Sequence, residues 1–225
     1  MSKNRLLIII YCLILVLCIS IGIFTRKSFY GNTSLPMSNN LDNLTLCVSS
    51  SDTSNIYFDN NIKDYDDLKQ KSDIIVKVRL SGERKSLSGT ILSKVEILSV
   101  YKGTDVKKSD IIYIYEPCFF INNTYNSVDG YNMMVENNDY VVFLKHLKIP
   151  EGYKYKGVEQ ISFMPVSTKY AKYNLSNYEN KAFEKNELDS TLLNYKIIKN
   201  NDIITSQKAD IDKYTSIKNN LKDFN

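Results

Sequence analysis

The chain has 225 residues, 43% of them hydrophobic and 24% charged, a balance that belongs to a folded chain and excludes an extensively disordered one. Lys3, Arg5, Arg26 and Lys27 are four of its 29 basic residues; the other 25 equal the 25 acidic ones, none of which precedes Asp42, so residues 28–225 are formally neutral. A protein that tracks a phosphate backbone needs a concentrated positive surface, and these sums supply none, so nucleic acid is not an expected partner.

The first element opens at Leu6 and closes at Phe24, an apolar run without a charge. As a helix it extends roughly 28 Å, about the thickness of a bilayer's hydrocarbon core. It lacks the polar face of a buried core helix. It is longer than the apolar region of a cleaved signal peptide, and Thr25-Arg26-Lys27 follows it in place of a small-x-small cleavage site. An uncleaved, single-pass membrane anchor is therefore expected over residues 1–27. Lipidation of Cys18 is the competing reading: Leu15-Val16-Leu17-Cys18 matches a bacterial lipobox at its first two positions, but Leu17 stands where a small residue belongs. Two basic residues lie on each side of the run, so the positive-inside bias is a tie. The run sits where an export signal would, and the soluble part is accordingly expected outside the cytoplasm.

Residues 28–58 are rich in Ser, Asn and Thr and read as a linker, within which Leu44 to Val48 alternate like a short strand. Residues 64–71 read as a short helix, with acids leading and lysines closing it in accord with the helix dipole. Ile74, Val76, Val78 and Leu80 form the apolar face of a first long strand, ended by a turn at Ser81-Gly82-Glu83. A second long strand covers about 88–101. Ile91, Val95 and Ile97 share one parity and Leu98 and Val100 the other, which predicts a β-bulge or bend at 97–99. A third strand covers 111–115, and residues 118–135 read as one long connection. Tyr140 to Leu144 are apolar on both faces, the mark of a buried strand. Weaker strand signals cover 153–157 and 161–166. Beyond Lys181 the tail turns helical: Leu188, Leu192 and Leu193 point to one helix, and Ile211, Tyr214, Ile217, Leu221 and Phe224 to an amphipathic second one packed on the sheet.

Five segments in this order carry a resemblance. Ser72-Asp-Ile-Ile-Val-Lys-Val78, Val95-Glu-Ile-Leu-Ser-Val-Tyr-Lys-Gly103 and Asp110-Ile-Ile-Tyr-Ile114 come first; Gly130-Tyr-Asn-Met-Met-Val135 and Asp139-Tyr-Val-Val-Phe-Leu144 follow. The pattern resembles a set of uncharacterised exported proteins of Gram-positive bacteria, whose domain looks like the OB-fold barrel of the tissue inhibitors of metalloproteinases. The likeness covers about residues 64–166. It implies a mainly β fold with flanking helices: a five-stranded, partly open OB-like barrel over 59–170, preceded by the transmembrane helix and followed by a C-terminal helical extension over 171–225. It does not carry protease inhibition with it, because the animal inhibitors chelate zinc through a free N-terminal cysteine, and here the chain before the barrel runs on into an apolar segment.

Few residues point to chemistry. Cys47 and Cys118 lie outside the apolar run and are a candidate disulfide in an oxidising compartment, two free thiols being the alternative. His146 is the sole histidine, so no His–His metal site exists, and no nucleophile elbow accompanies it. Asp64, Asp66 and Asp67 suit helix capping and lack a Gly-bearing calcium loop. Nothing brings Glu116 and Glu136 together as catalytic carboxylates, and no phosphate-binding glycine loop occurs. Aromatic residues are the strongest remaining feature: Tyr113, Tyr115, Phe119, Phe120, Tyr125 and Tyr131 gather on or beside the 118–135 connection. Tyrosine is an efficient interface residue, and OB-folds bind ligands through strand faces and neighbouring loops; the alternative is that half of these rings cap the barrel. The expectation is a non-enzymatic, cofactor-free binding module for a protein or cell-envelope ligand, with inhibition of an extracellular metalloprotease as the second reading.

Overall fold

The structure is a computed structural model that describes residues 3–29, 41–49, 54–176, 178–189 and 193–221. It divides into two units, Met1–Thr33 and Ser34–Asn225. The first holds one helix, α1 (Lys3–Phe29), whose stretch Leu7–Thr25 is long and apolar enough to cross a membrane and is nowhere buried by protein. Two of its hydroxyls bond back to the helix: Ser20 donates to the Val16 carbonyl and Thr25 to that of Ile21, both at 2.8 Å. A hydrocarbon surround requires such internal bonding.

The second unit is mainly β, with helices toward its C-terminus. Its elements run β1 (Thr45–Ser49), α2 (Ser54–Tyr57), α3 (Tyr65–Lys71), β2 (Ile74–Leu87), β3 (Thr90–Lys102), β4 (Ile111–Glu116), β5 (Cys118–Ile121), β6 (Thr124–Val128), β7 (Asp139–His146), β8 (Ser162–Pro165), β9 (Lys172–Asn174), α4 (Lys185–Leu188), α5 (Tyr195–Ile198) and α6 (Lys208–Asn219). In the larger sheet β2 lies antiparallel to both β3 and β7, and β3 antiparallel to β4. β4 runs parallel to β8, and β8 antiparallel to β7, so the pairings pass through five strands and return to β2. β8 and β9 share one edge of β7, along its later and earlier halves respectively. In the smaller sheet β1 runs parallel to β6, which forms a hairpin with β5.

The bulge expected at 97–99 is present: Lys77 faces Ser99 and Val78 faces Ile97, which leaves Leu98 unpaired and moves the following side chains to the other face. The turn expected at Ser81-Gly82-Glu83 is instead a further irregularity inside a continuous β2, with pairing resuming at Arg84–Ser93 and Gly82 at φ +86°. The chain reverses later, at Ser88-Gly89, where Gly89 takes φ +81°. The 118–135 connection is likewise corrected. It contains the β5–β6 hairpin, turned at Asn122-Asn123 with Asn122 at φ +51°, where asparagine is among the few residues that tolerate left-handed backbone. Residues 153–157 form no strand and lead into a single 3-10 turn, Gly157–Ile161.

Three apolar clusters explain the strand patterns. Tyr140, Val142 and Leu144 of β7 join Val76, Val78, Val95, Ile97, Ile112 and Ile114 on one face. Val141 and Phe143 point the other way, into a cluster with Leu68, Tyr173, Tyr214, Ile217 and Leu221. β7 is therefore buried on both sides, as its unbroken apolar run requires. The third cluster lies under the smaller sheet, where Leu44, Leu46, Tyr125, Tyr131, Tyr195 and Ile198 meet.

The tail, expected as a helical extension over 171–225 with an amphipathic helix packed on the sheet, also contributes a strand. β9 belongs to the sheet, and Tyr214 and Ile217 of α6 are fully buried against it. The helix expected around Leu188–Leu193 is a single turn, α4; Leu193 is buried beside β1, and Leu192 and Phe224 lie outside the described residues. The tail is fastened by buried charge. Lys172 Nζ lies 3.1 Å from Asp202 Oδ1, with 4% and 6% of the two side chains exposed. Asp202 Oδ2 accepts the Asn174 N–H at 3.0 Å and the Tyr214 hydroxyl. The ammonium also sits over the rings of Tyr140 (5.1 Å) and Tyr131 (5.4 Å). Burial works against the charge on Lys172, but Asp202, Tyr140 and Glu116 together outweigh it and raise the amine's pKa.

Breaking such a pair from one side strands a charge in the interior. Lys172→Met should therefore destabilise the fold by about 3–5 kcal/mol, and Lys172→Met with Asp202→Asn should recover a large part of that. Urea unfolding of the full chain in detergent, followed by tyrosine fluorescence, checks both. Equal losses for the single and double variants would contradict this account.

Candidate functional site

β4 alternates strictly, with Ile112, Ile114 and Glu116 inward and Ile111, Tyr113 and Tyr115 outward. Tyr115 is thereby placed half-buried on the outer face, next to Met164 of β8. Pro117 breaks the strand, β5 begins, and Phe119 comes to the same side. With Tyr57, Phe58, Thr90 and Val128 these residues line a cleft of about 580 Å³. A second cleft of about 290 Å³ adjoins it across Tyr57, Tyr115 and Met164 and is walled by Ile56, Lys145, Leu147, Lys148 and Tyr155. Burial, followed by the nearby Glu159 charge, raises the Tyr115 phenol pKa, so the hydroxyl is a neutral donor at this wall.

The six aromatics read from the sequence thus separate. Tyr115 and Phe119 line the cleft, and Tyr113 shares the outer face of β4 without lining it. Phe120 turns inward and packs on Tyr125 at 5.5 Å. Tyr125 and Tyr131 are not surface residues at all, at 0% and 1% exposure. The Tyr125 hydroxyl donates to Asn132 Oδ1 (2.9 Å) and accepts the Met133 N–H (2.8 Å), while that of Tyr131 donates to Glu116 Oε2 (3.0 Å). These two rings cap the core because their hydroxyls find buried partners. Tyr57, Phe58, Met164 and Tyr155 were missed, although Ile56-Tyr57-Phe58 is an apolar triplet in a polar stretch.

The cysteines are not bonded. Cys47 faces Asn126 and is exposed, whereas Cys118 faces Ser127 and is buried, so the thiols lie on opposite faces of the smaller sheet with β6 between their strands. Two strand spacings come to roughly 10 Å, beyond the ~7 Å Cα separation a disulfide tolerates. Burial, reinforced by the Glu116 charge, raises the Cys118 thiol pKa well above its ordinary value and keeps it protonated.

Glu116 is fully buried. Oε1 accepts the Ser93 hydroxyl and lies 3.7 Å from Arg84 Nη2; Oε2 accepts Tyr131 and the Met134 N–H at 2.7 Å. Glu136 is exposed, so the two carboxylates form no pair. At the sheet's end His146 is clasped by two acids: Nδ1 lies 3.1 Å from Asp73 Oδ2 and Nε2 2.7 Å from Asp105 Oδ2. No spacing in the sequence joins these three. Asp64 caps α3 as expected, accepting the Asp67 N–H at 2.9 Å. Among the described residues no three His, Cys, Asp or Glu side chains converge to hold a metal ion. A scan against protein-family models and a search of curated proteins found no match to this chain.

Burial alone lowers the His146 pKa, but the hydrogen bonds to Asp105 and Asp73 outweigh it and raise the value overall. A raised histidine stabilises the fold fully below its unfolded pKa, and that contribution is lost as pH rises through the folded one. Burial raises Asp73, yet the His146 contacts leave its pKa lowered, so its share is lost only as pH falls through that value. The clasp is strongest between the two. The imidazole NMR titration should show a midpoint above the ordinary histidine value, moved down by Asp105→Asn; an unmoved midpoint would remove the clasp.

Proposed function

We propose that this chain is a membrane-anchored, extracytoplasmic, non-catalytic binding module, in which an OB-like barrel presents an aromatic cleft to a protein or cell-envelope ligand. The observation that carries the reading is the cleft lined by Tyr115, Phe119, Tyr57 and Met164. Rings held half-buried on strands lose little freedom on binding, which makes such a wall an efficient contact surface. The OB-like reading is supported by five strands whose pairings return to the first, with β2 between β3 and β7. The resemblance to the barrel of the tissue inhibitors of metalloproteinases rests on these strands and extends to architecture alone. α1 supports the anchor. The non-catalytic reading is supported by Glu116, whose oxygens are occupied by Ser93, Tyr131, the Met134 amide and Arg84 away from solvent.

Placing the photocrosslinker p-benzoylphenylalanine at Phe119 in the full chain should yield discrete adducts on irradiation of intact cells, and placing it at exposed Lys196 should not. Externally added protease should digest the domain on the same cells. Complete protection from protease, or identical adducts from both positions, would sink the reading.

A further inference from the structure

The end of β7 and the connection that follows it gather four lysines within residues 145–156. Residues 145–161 contain Lys145, Lys148, Lys154 and Lys156 against Glu151 and Glu159. Among the described residues none of these four ammonium groups has a carboxylate within the 4.0 Å of an ion pair. Being unpaired does not by itself set them apart: Lys71, Lys77, Lys94, Lys169, Lys172 and Lys199 have such a partner, but Lys85, Lys107 and Lys196, for example, have none among the described residues. What is particular to this segment is the close spacing of its lysines around exposed apolar side chains. Glu159 is engaged by the Tyr153 hydroxyl at 2.9 Å. Burial, and then the charge of Lys148, lower the Lys145 pKa against the opposing pull of Asp59 and Asp73. Between them stand two apolar side chains turned to solvent, Ile149 at 65% and Tyr153 at 46% exposure.

We propose that this segment is a lipid-contact surface, in which Lys148, Lys154 and Lys156 bind anionic headgroups while Ile149 and Tyr153 enter the interfacial layer. Lysines gathered this closely favour an anionic partner, and exposed Ile and Tyr among them favour one with an apolar layer beneath the charge. A bilayer of anionic lipid offers both, and tyrosine is at home at that depth. The proposal rests on α1 as a bilayer anchor. A chain already held there meets the headgroups as an intramolecular event, so a patch too weak to recruit a free protein suffices.

The test is hydrogen exchange on the full chain in nanodiscs of phosphatidylcholine alone or with phosphatidylglycerol. Amides of 147–156 should exchange roughly tenfold more slowly in the anionic discs, and the protection should fade at about 1 M salt, where the screening length falls to ~3 Å. Lys148→Gln, Lys154→Gln and Lys156→Gln together should abolish the protection while exchange in β2, β3 and β7 is unchanged; the triple arginine variant should keep it. Equal exchange in the two discs, or protection that survives the glutamine changes, would overturn the proposal. Equal protection by soluble polyphosphate over phosphatidylcholine discs would assign the patch to a phosphate polymer and overturn the lipid reading.

Discussion

Two charges buried on either side of one tyrosine hold this domain together. Tyr131 donates its hydroxyl to Glu116 and offers its ring to the ammonium of Lys172, which in turn meets Asp202. Each charge is tolerable inside only because the others are present and geometrically exact enough to satisfy it. The residues around Tyr131 extend the same connection through the backbone. The Gly130 carbonyl accepts the Ile204 N–H at 2.8 Å, Asn132 donates to the carbonyls of Ile198 and Asn201, and the Met134 amide donates to Glu116. A side chain at Gly130 would place its Cβ 2.2 Å from the Ile204 oxygen, and the residue sits at φ +83°. Only glycine allows the two backbones to approach so closely. The five residues 130–134 are thus the belt on which sheet, hairpin and tail converge.

What the sequence showed plainly is what short-range periodicity encodes. The two-sided apolarity of Tyr140 to Leu144, the change of parity at Ile97–Leu98 and the acid-to-lysine order of the first short helix each depend on neighbours a few residues away, and each has its counterpart in the structure. What it concealed depends on partners far along the chain. β9 is three residues long and exists because β7 offers an edge. Asp202 gives no sign, as a residue type, that it neutralises a lysine thirty positions earlier. The hairpin at 118–128 was hidden for a different reason: its strands are short, and one of them, Thr124–Val128, is largely polar.

The candidate site divides along the same line. Outward and inward positions on β4 follow from alternation, so Tyr115 was legible as a strand residue beside a loop. The direction of the rings beyond Pro117 was not, because it is fixed by which phenols find interior acceptors: Tyr125 reaches Asn132, and Tyr131 reaches Glu116. Aromatic clustering in a sequence therefore marks a region, and buried hydrogen-bond partners decide which rings remain available to a ligand.

The position of β1 has a mechanical consequence. It follows the apolar helix in the chain, and its two edges are both occupied. β6 pairs with it in parallel from Thr45 to Ser49, and on the other side Leu46 and Leu44 bond to Leu193 and Tyr195. Any pull applied through the preceding part of the chain reaches this strand early. Because it is gripped from both flanks, it yields only by tearing two rows of hydrogen bonds together, one to the hairpin and one to the C-terminal third of the chain. Load arriving at the front of the molecule is thus shared at once with its far end.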